Sequence, residues 1–154
     1  MARAPFQVIV FPYRQTASGV LEYAVFFRRS PNYGEFWQAI SGGGEDDESP
    51  IEAARREANE EAGLSSDTPL IQLDSSATIP APQAAGMLWG PKVLVVPEYA
   101  FGADIGDQQI VLSAEHESFR WAEYATAQSL LRFDSNKNAL WELDFRLTNN
   151  RKFI

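Results

Sequence analysis

Eight acidic residues fall within 17 positions of this chain, and they are the first feature that suggests chemistry. They are accompanied by only two basic residues, Arg55 and Arg56, so the segment 45–61 carries a net charge of −6. The eight acids are Glu45, Asp46, Asp47, Glu48, Glu52, Glu57, Glu60 and Glu61. This local excess of negative charge indicates a cation site, and it disfavours nucleic-acid binding because phosphates would be repelled.

The residues around the later glutamates predict the clearest helix of the chain, from Ser49 to Ala62. Ser49 and Glu52 have the Ser-x-x-Glu spacing of a capping box, and Pro50 suits the first helical turn. Gly63 is a natural C-terminal stop, because glycine readily adopts the left-handed conformation that ends many helices. Apolar residues at helical spacing give this helix one face directed at the core, namely Ile51, Ala54, Ala58 and Ala62.

Glu57, Glu60 and Glu61 lie on another side of the same helix. At about 100° per residue, Glu57 and Glu61 are one turn apart and Glu60 is beside them. Like charges at these spacings repel by roughly 0.2–0.5 kcal/mol per pair, so stability alone would favour a lysine at one position. Mg²⁺ would remove this repulsion, because it prefers carboxylate oxygens and bridges to substrate phosphates. A solvated acidic face is the alternative, and the spacing alone leaves both interpretations open.

Glycines and an arginine around these carboxylates complete a longer pattern. The run GGGEDDESPIEAARREANEEAGL fits Gly-x5-Glu-x7-Arg-Glu-U-x-Glu-Glu-x-Gly-U, where U is aliphatic. It resembles the Nudix box. The residues at its fixed positions are Gly42, Glu48, Arg56, Glu57, Glu60, Glu61 and Gly63, and Leu64 fits the last aliphatic position. Ala58 departs from the larger aliphatic residue that is usual there, which implies thinner packing and not lost chemistry.

The resemblance implies both a fold and a reaction class. Nudix proteins hydrolyse a nucleoside diphosphate linked to another group, and their fold is an α/β/α sandwich around a mixed β-sheet. By motif position, Glu57 and Glu61 are the principal ligands of Mg²⁺, with Mn²⁺ as a substitute, and Glu60 is a further ligand or acts through water. Arg56 is expected to orient the box carboxylates. Glu48 is expected to support the geometry of the loop and helix.

A further carboxylate is expected from outside the box. Many Nudix proteins carry Glu-His a few residues before an aromatic–basic–Trp strand, and Glu115-His116 before Phe119-Arg120-Trp121 is similar. The resemblance implies that Glu115 completes the metal shell or accepts a proton from the attacking water. Glu117 is the alternative for this role, and His116 is expected to be structural and not the base.

Two shorter motifs bear on the substrate. Phe36-Trp37-Gln38 and Ser135–Ala139 are similar to segments of the dihydroneopterin-triphosphate and dATP pyrophosphohydrolase branch of the family. This similarity implies hydrolysis of a nucleoside or pterin triphosphate to a monophosphate and pyrophosphate. A nucleotide sugar such as ADP-ribose, or a dinucleoside polyphosphate, is the alternative substrate. A non-catalytic nucleotide-binding module is a third hypothesis, and the intact box argues against it.

The same alignment marks candidate substrate-binding residues. They are Arg3, Arg28, Phe36, Trp37 and Ser41. An arginine such as Arg28 can hold a phosphate with two parallel hydrogen bonds, or it can be an ordinary surface residue. Phe36 and Trp37 can stack on a flat base, or they can belong to the core. Trp89, in a proline-rich loop, is a further candidate platform for a base without support from the family.

Elements that must position these residues follow from hydrophobic patterning and turn residues. The pattern predicts a mixed α/β layered domain, with Gly42–Gly44 breaking the third strand and residues 80–91 forming a loop. The predicted strands are 6–13, 20–29, 36–40, 71–79, 92–101, 109–112 and 119–121, and the predicted helices are 49–62, 123–131 and 136–147.

Composition limits the remaining possibilities. The 154 residues are 45% hydrophobic and 22% charged, which predicts one globular domain over 1–154. The chain has no cysteine and one histidine, which excludes disulfides, thiolate metal sites and multi-histidine zinc sites. No apolar run reaches the roughly 20 residues of a membrane helix. We therefore expect a cytoplasmic protein, monomer or homodimer, that acts on a small nucleotide-type molecule without binding nucleic acid or membranes.

Overall fold

The computed structural model describes residues 2–149; Met1 and residues 150–154 of the predicted domain 1–154 lie outside the described residues. The strands are β1 (Arg3–Gln15), β2 (Leu21–Ser30), β3 (Gly34–Gln38), β4 (Ile40–Glu45), β5 (Leu70–Pro80), β6 (Val95–Asp104) and β7 (Ser118–Ala122). The helices are α1 (Pro50–Ala62), α2 (Ala81–Ala85), α3 (Tyr124–Leu130) and α4 (Asp134–Thr148). Within this described part, every helix is too short or too polar to cross a membrane.

All of these strands belong to one mixed sheet, with β1 at its centre. The order is β3-β2-β1-β6-β5, while β4 also pairs with β1 and β7 with β2. The β1–β6 pairing is parallel, and the other pairings are antiparallel. Thirteen residues make β1 long enough to pair with β4 over 3–10, with β6 over 7–13 and with β2 over 13–15.

Side chains of β1 alternate between two hydrophobic clusters, one on each face of the sheet. Val8 and Val10 pack into the cluster that contains the alanines of α1. Ile9 and Phe11 pack into the cluster that contains Leu140 of α4. Helices therefore cover both faces, and the predicted α/β/α sandwich around a mixed sheet is confirmed.

Helix α1 has the predicted ends. The Ser49 hydroxyl accepts a hydrogen bond from the Glu52 backbone at 3.4 Å, and the Glu52 carboxylate accepts one from the Ser49 backbone at 2.9 Å. Gly63 closes the helix at φ 69°, in the left-handed region. The predicted core face is wrong at Ile51, which is 39% exposed. Ala53 is buried in the cluster instead, so the helix presents small side chains to the sheet and packs closely.

Two predictions about strands and one about a loop need correction. Gly42–Gly44 do not break a strand but lie inside β4, where Gly42 pairs with Val8 of β1. Residues 92–101 are strand only from Val95, and β6 continues to Asp104. The proline-rich segment 80–91 contains the short helix α2 at its start.

Residues 109–112 are not a strand, although their sequence alternates in the way a strand does. The Val111 backbone donates to the carbonyl of Ala62 at 2.9 Å, and the Ser113 backbone donates to that of Glu61 at 3.1 Å. The segment thus satisfies carbonyl groups at the C-terminal end of α1, which have no partner within the helix. This connection carries the chain past α1 immediately before Glu115.

Candidate active site

A cleft of about 410 Å³ lies between α1 and the central strands. The lining comes from β1, β2 and β4, from the C-terminal half of α1, from α2 and from the segment 113–115. The acidic residues of this lining are Glu45, Glu57, Glu60, Glu61 and Glu115. The fold therefore brings Glu115 to the carboxylates of α1, which are distant from it in sequence.

Strand β4 makes room for these carboxylates through Gly42. A Cβ atom at Gly42 would lie 2.1 Å from Cδ of Glu57 and 2.3 and 2.5 Å from its two oxygens. Such separations are too short for any side chain, so the Glu57 carboxylate occupies the space that glycine leaves. The backbone N–H of Ser41, the preceding residue, donates to Oε2 of Glu61 at 3.3 Å. The first glycine of the box is thus required for close approach and not for a turn.

Arg56 connects the loop before α1 to the carboxylates on it. Its Nε and Nη2 donate to the two oxygens of Glu48 at 2.8 and 3.0 Å. Its Nη1 donates to Glu57 at 2.9 Å and to Glu60 at 3.1 Å. Its Nη2 also donates to the carbonyl of Gly43 at 2.7 Å, which ties the helix to β4. These contacts give Arg56 and Glu48 the positions in which they would orient the box carboxylates.

The buried carboxylates of the cleft have a chemistry that fits a divalent cation. Glu57 and Glu61 are only 9% and 2% exposed. Burial, and to a smaller extent repulsion from the Glu61 carboxylate, raises the pKa of Glu57 to about 7. Burial also raises the pKa of Glu61. Oε1 of Glu61 is buried without a hydrogen-bond partner. Within residues 2–149, no three acidic or histidine side chains are already arranged as a set of metal ligands. The fit to a cation therefore rests on this crowding of buried negative charge.

We expect Mg²⁺ to bind more weakly as the pH falls from 8 to 6. Because the pKa of Glu57 is about 7, a proton must leave its carboxyl before the ion binds at lower pH. The affinity should fall about tenfold per pH unit below 7 for each proton displaced. Titration calorimetry at pH 6, 7 and 8 measures this, and equal affinity at pH 6 and 8 would contradict it. The Glu57→Gln variant should bind Mg²⁺ weakly at all three pH values, and its affinity should depend much less on pH.

The titration of Glu57 also affects the stability of the metal-free protein. The pKa of Glu57 is raised from the usual 4.5 to about 7, so between these values the folded state holds more protons than the unfolded chain. The contribution of Glu57 to the free energy of unfolding is therefore most favourable at low pH and decreases as the pH rises through about 7. An ion in the cleft would offset this loss by supplying the missing positive charge.

Glu115 and Glu117 have different surroundings, although only one residue separates them. Glu115 lines the cleft. Its carboxyl lies close enough to Glu61 to help raise the pKa of Glu61. Glu117 instead pairs with Arg29 at 3.1 Å on the outer surface. His116, between them, is 5% exposed, and its Nε2 lies 3.5 Å from Oε1 of Glu61. The placement favours Glu115 over Glu117 as the carboxylate from outside the box.

A second cavity of about 290 Å³ adjoins the cleft. Gln7, Arg28 and Ser41 line both spaces, so a molecule can extend from one into the other. Phe36 lines this second cavity and contacts Phe133 edge to face, with ring centroids 5.1 Å apart. Of the five predicted substrate-binding residues, four line the cleft or the second cavity, namely Arg3, Arg28, Phe36 and Ser41.

Arg3 and the two candidate tryptophans, Trp37 and Trp89, differ in their contacts. Arg3 lines the cleft, where its Nη2 donates to Gln7 at 3.3 Å. Trp37 lines neither cavity; it packs against Phe27 with ring centroids 5.2 Å apart. Successive residues of a strand point to opposite faces, so Phe36 and Trp37 cannot both face the cavity. Trp89 lines neither cavity, and its ring nitrogen donates to the Arg3 carbonyl at 2.9 Å.

The predicted substrate-binding residues leave out several polar residues that line the second cavity, although Gln38 and Asn136 lie within the two short motifs. The most buried are Gln38 on β3, Glu98 on β6 and Asn136 on α4, each 6% exposed or less. A signal was present for Glu98, because it is the only acid between Val93 and Phe101 in an otherwise apolar strand sequence. A lone acid in such a strand is either a solvent-exposed side chain or a buried functional group.

Comparison with known proteins places this site in a family. The NUDIX domain family matches residues 6–142. A Listeria monocytogenes structure described as a NUDIX hydrolase is 41% identical, with a TM-score of 0.84, and the similarity covers 96% of this chain and 97% of that one. The family match contains the box and every residue that lines the two cavities except Arg3.

More distant structures share the fold. The E. coli dihydroneopterin triphosphate pyrophosphohydrolase is 24% identical with a TM-score of 0.71, covering 94% of this chain and 99% of that one. A C. elegans Ap4A hydrolase is 19% identical with a TM-score of 0.73, covering 96% and 100%. At these identities the similarity establishes the fold alone, and the proteins act on different molecules.

A similar sequence also occurs inside a longer protein. An octanoyltransferase from Myxococcus xanthus is 38% identical over 107 residues, which is 69% of this chain. The aligned stretch is 28% of that protein, so this chain spans less than a third of its length.

Proposed function

This chain belongs to the Nudix family of hydrolases that act on pyrophosphate bonds, and we propose that it is a Mg²⁺-dependent enzyme that cleaves a nucleoside or pterin triphosphate to a monophosphate and pyrophosphate. The observation that carries the proposal is that the cleft and the second cavity are continuous. The cleft with the buried carboxylates opens, past Arg28 and Ser41, into a cavity edged by the aromatic ring of Phe36. A molecule with a phosphate chain at one end and a flat ring at the other fits this arrangement.

Residues of the cleft have different roles in hydrolysis. Glu57, Glu60 and Glu61 would hold the ion, which would supply positive charge to the phosphate oxygens and help to activate water. Arg56 keeps Glu57 and Glu60 in position through hydrogen bonds of 2.9 and 3.1 Å.

Two arginines and an exposed glutamate complete the mechanism. Arg3 and Arg28 line the cleft and supply positive charge to the phosphate chain. Glu115 is exposed at the same cleft, and it accepts a proton from the attacking water. Nucleophilic attack at the α-phosphorus breaks the α–β bond, so the water oxygen ends in the monophosphate and pyrophosphate leaves.

The nature of the group beyond the cleft separates the rival substrates. The short motifs Phe36-Trp37-Gln38 and Ser135–Ala139 support a triphosphate with a flat ring, which is the kind of molecule that one enzyme of the same fold hydrolyses. Similarity to the Ap4A hydrolase keeps a dinucleoside polyphosphate, or a nucleotide sugar, as the second candidate. The intact set of box glutamates in one cleft argues against a module that only binds.

Product analysis tests the proposal. Hydrolysis of triphosphates with Mg²⁺ in ¹⁸O-labelled water, followed by phosphorus NMR, should give pyrophosphate and a monophosphate that carries the label. A diphosphate and orthophosphate would contradict the position of the cut. Cleavage of ADP-ribose or a dinucleoside polyphosphate at least tenfold more efficiently than any triphosphate would overturn the substrate assignment and leave the metal site untouched. Removing the ion with EDTA should abolish turnover.

We expect Glu115→Gln to lower kcat more than it raises KM. Such a pattern marks an interaction made mainly in the transition state, as the transfer of the water proton would be. Glu117→Gln is the matched control, because Glu117 pairs with Arg29 outside the cleft. Steady-state kinetics of the two variants measures the difference. A loss of kcat in Glu117→Gln without one in Glu115→Gln would reverse the assignment.

A further inference from the structure

Two buried polar atoms of the second cavity lack hydrogen-bond partners. They are Nε2 of Gln38, a donor, and Oε1 of Glu98, an acceptor. Both residues are 6% exposed, and both line this cavity. Buried polar groups in folded proteins are nearly always paired, because an unpaired one loses its hydration without compensation. A donor and an acceptor left open beside one cavity indicate a ligand that supplies the complementary groups.

Regular elements hold this pair in place. Gln38 ends β3, and the next residue, Ala39, donates its backbone N–H to the buried side chain of Asn136 at 2.8 Å. Glu98 lies on β6, directly opposite Gln7 of β1. Binding groups carried on strands are positioned more accurately than groups on loops.

The charge around Glu98 is also unusual. Burial raises the pKa of Glu98, and the nearby Ser135 hydroxyl opposes the increase. Among residues 2–149 no lysine or arginine forms an ion pair with Glu98. A buried carboxylate without a cation is costly unless strong donors face it. Groups that donate hydrogen bonds to this carboxylate would remove that cost and keep it ionised.

Aromatic side chains edge the same cavity. Phe36 and Gln38 lie on the same face of β3, because they are two residues apart on one strand. Phe36 is held edge to face against Phe133. A flat ring that contacts Phe36 would therefore place its polar edge toward the Gln38 side chain. The cavity also shares Arg28 with the cleft, which connects this ring to the phosphate chain.

We propose that Glu98 and Gln38 recognise the 2-amino-4-oxopyrimidine edge that guanine and pterins share. The ring N–H and the exocyclic amino group donate to the Glu98 carboxylate, and the ring carbonyl accepts from Nε2 of Gln38. This inference rests on the proposed function, since it names the ring at the far end of the triphosphate. It selects guanosine or pterin triphosphates as the substrate class.

Other bases present the wrong sequence of groups to this pair. An ionised carboxylate only accepts hydrogen bonds, so it requires two adjacent donors. Adenine presents a donor beside an acceptor, and uracil presents one N–H between two carbonyls. Hypoxanthine keeps the ring N–H and the carbonyl of guanine but lacks the amino group. Inosine triphosphate is therefore a probe that differs from GTP by one of the proposed contacts.

The test compares GTP, dihydroneopterin triphosphate, inosine triphosphate and ATP by kcat/KM. We expect the first two to exceed ATP by roughly 10-fold or more, and inosine triphosphate to lie between, because each unmatched buried polar group weakens binding. The comparison of GTP with dihydroneopterin triphosphate decides between a guanine and a pterin. Equal efficiency for all four would overturn the proposal.

Two variants locate the recognition. Glu98→Gln replaces one acceptor oxygen by a donor, so KM for GTP should rise and the preference for GTP over inosine triphosphate should largely disappear. Gln38→Met removes the donor and should weaken GTP and inosine triphosphate by a similar factor. Circular dichroism verifies the fold, and Gln38→Met keeps the test decisive if Glu98→Gln does not fold. The matched control is Glu123→Gln, an exposed acid away from both cavities. Preference for GTP unchanged in Glu98→Gln would overturn the proposal.

A binding measurement separates this inference from the proposed function. An α,β-methylene analogue of GTP cannot be cleaved between the α- and β-phosphorus atoms, so its affinity is measured without turnover. If the analogue binds and Glu98→Gln lowers its affinity, recognition of the guanine edge stands even if no triphosphate is hydrolysed. If triphosphates are hydrolysed but the analogue binds both proteins equally, the proposed function stands and the recognition fails.

Discussion

Replacing Glu61 with glutamine is expected to lower turnover by about 10²-fold or more, equivalent to roughly 3 kcal/mol of transition-state stabilisation. Glu61 is 2% exposed, and Oε1 has no hydrogen-bond partner, so its charge is available to an ion in the cleft. Glutamine has nearly the same shape, and it removes repulsion between buried carboxylates. The variant should therefore fold with equal or greater stability. Steady-state kinetics with Mg²⁺ and thermal unfolding in EDTA measure the two effects.

A suitable control for Glu61→Gln has to be an acid of the same segment that lies outside the cleft. Glu45 is unsuitable, because it lines the cleft and contacts Arg56 at 3.2 Å. Asp47 is exposed and belongs to neither cavity, so Asp47→Asn should be nearly silent. Equal losses in both variants would mean that the bulk acidity of the segment, and not a defined site, supports turnover.

Gly42→Ala should be the most damaging substitution outside the carboxylates, with a loss of turnover of roughly 10²-fold. The added Cβ would lie 2.1 Å from Cδ of Glu57, so the carboxylate must move away from the cleft. The atoms in the way are the end of a flexible side chain, and the backbone of Gly42 does not have a positive φ. The protein should fold, while Mg²⁺ affinity and turnover fall together. Calorimetry and kinetics of the purified variant measure both.

A double-mutant cycle identifies the cause of the Gly42→Ala effect. If the alanine acts through Glu57, it should add little to the loss already caused by Glu57→Ala, because residues in contact do not contribute independently. Full additivity would instead indicate that the alanine disturbs the pairing of β4 with β1.

Interactions between residues near each other in sequence made the box helix predictable. The capping box of Ser49 and Glu52, the stop at Gly63 and the shared side of Glu57 and Glu61 all depend on helical spacing within one segment. The carboxylate cluster was therefore recognised before any tertiary contact was known. The single misplaced core residue, Ile51, lies at the first turn, where sequence patterns are least accurate.

Strand pairing, in contrast, was misread wherever the local pattern resembled another structure. Glycines at 42–44 look like a break, but β1 provides a partner strand, and the missing side chains admit Glu57. Residues 109–112 alternate like a strand, but the end of α1 takes their backbone hydrogen bonds instead. In both places the partner of the backbone is remote in sequence, so no local pattern can identify it.

The sequence by itself determined the family, the reaction class and the carboxylates of α1, because capping, periodicity and the box motif are properties of one continuous segment. Only the tertiary structure placed Glu115 at the cleft, separated Phe36 from Trp37, and brought Gln38 and Glu98 to one cavity. These positions depend on which strands pair and in which register. Register is decided by the packing of the whole sheet against its helices, so residues far apart in the chain become neighbours only when the fold is complete.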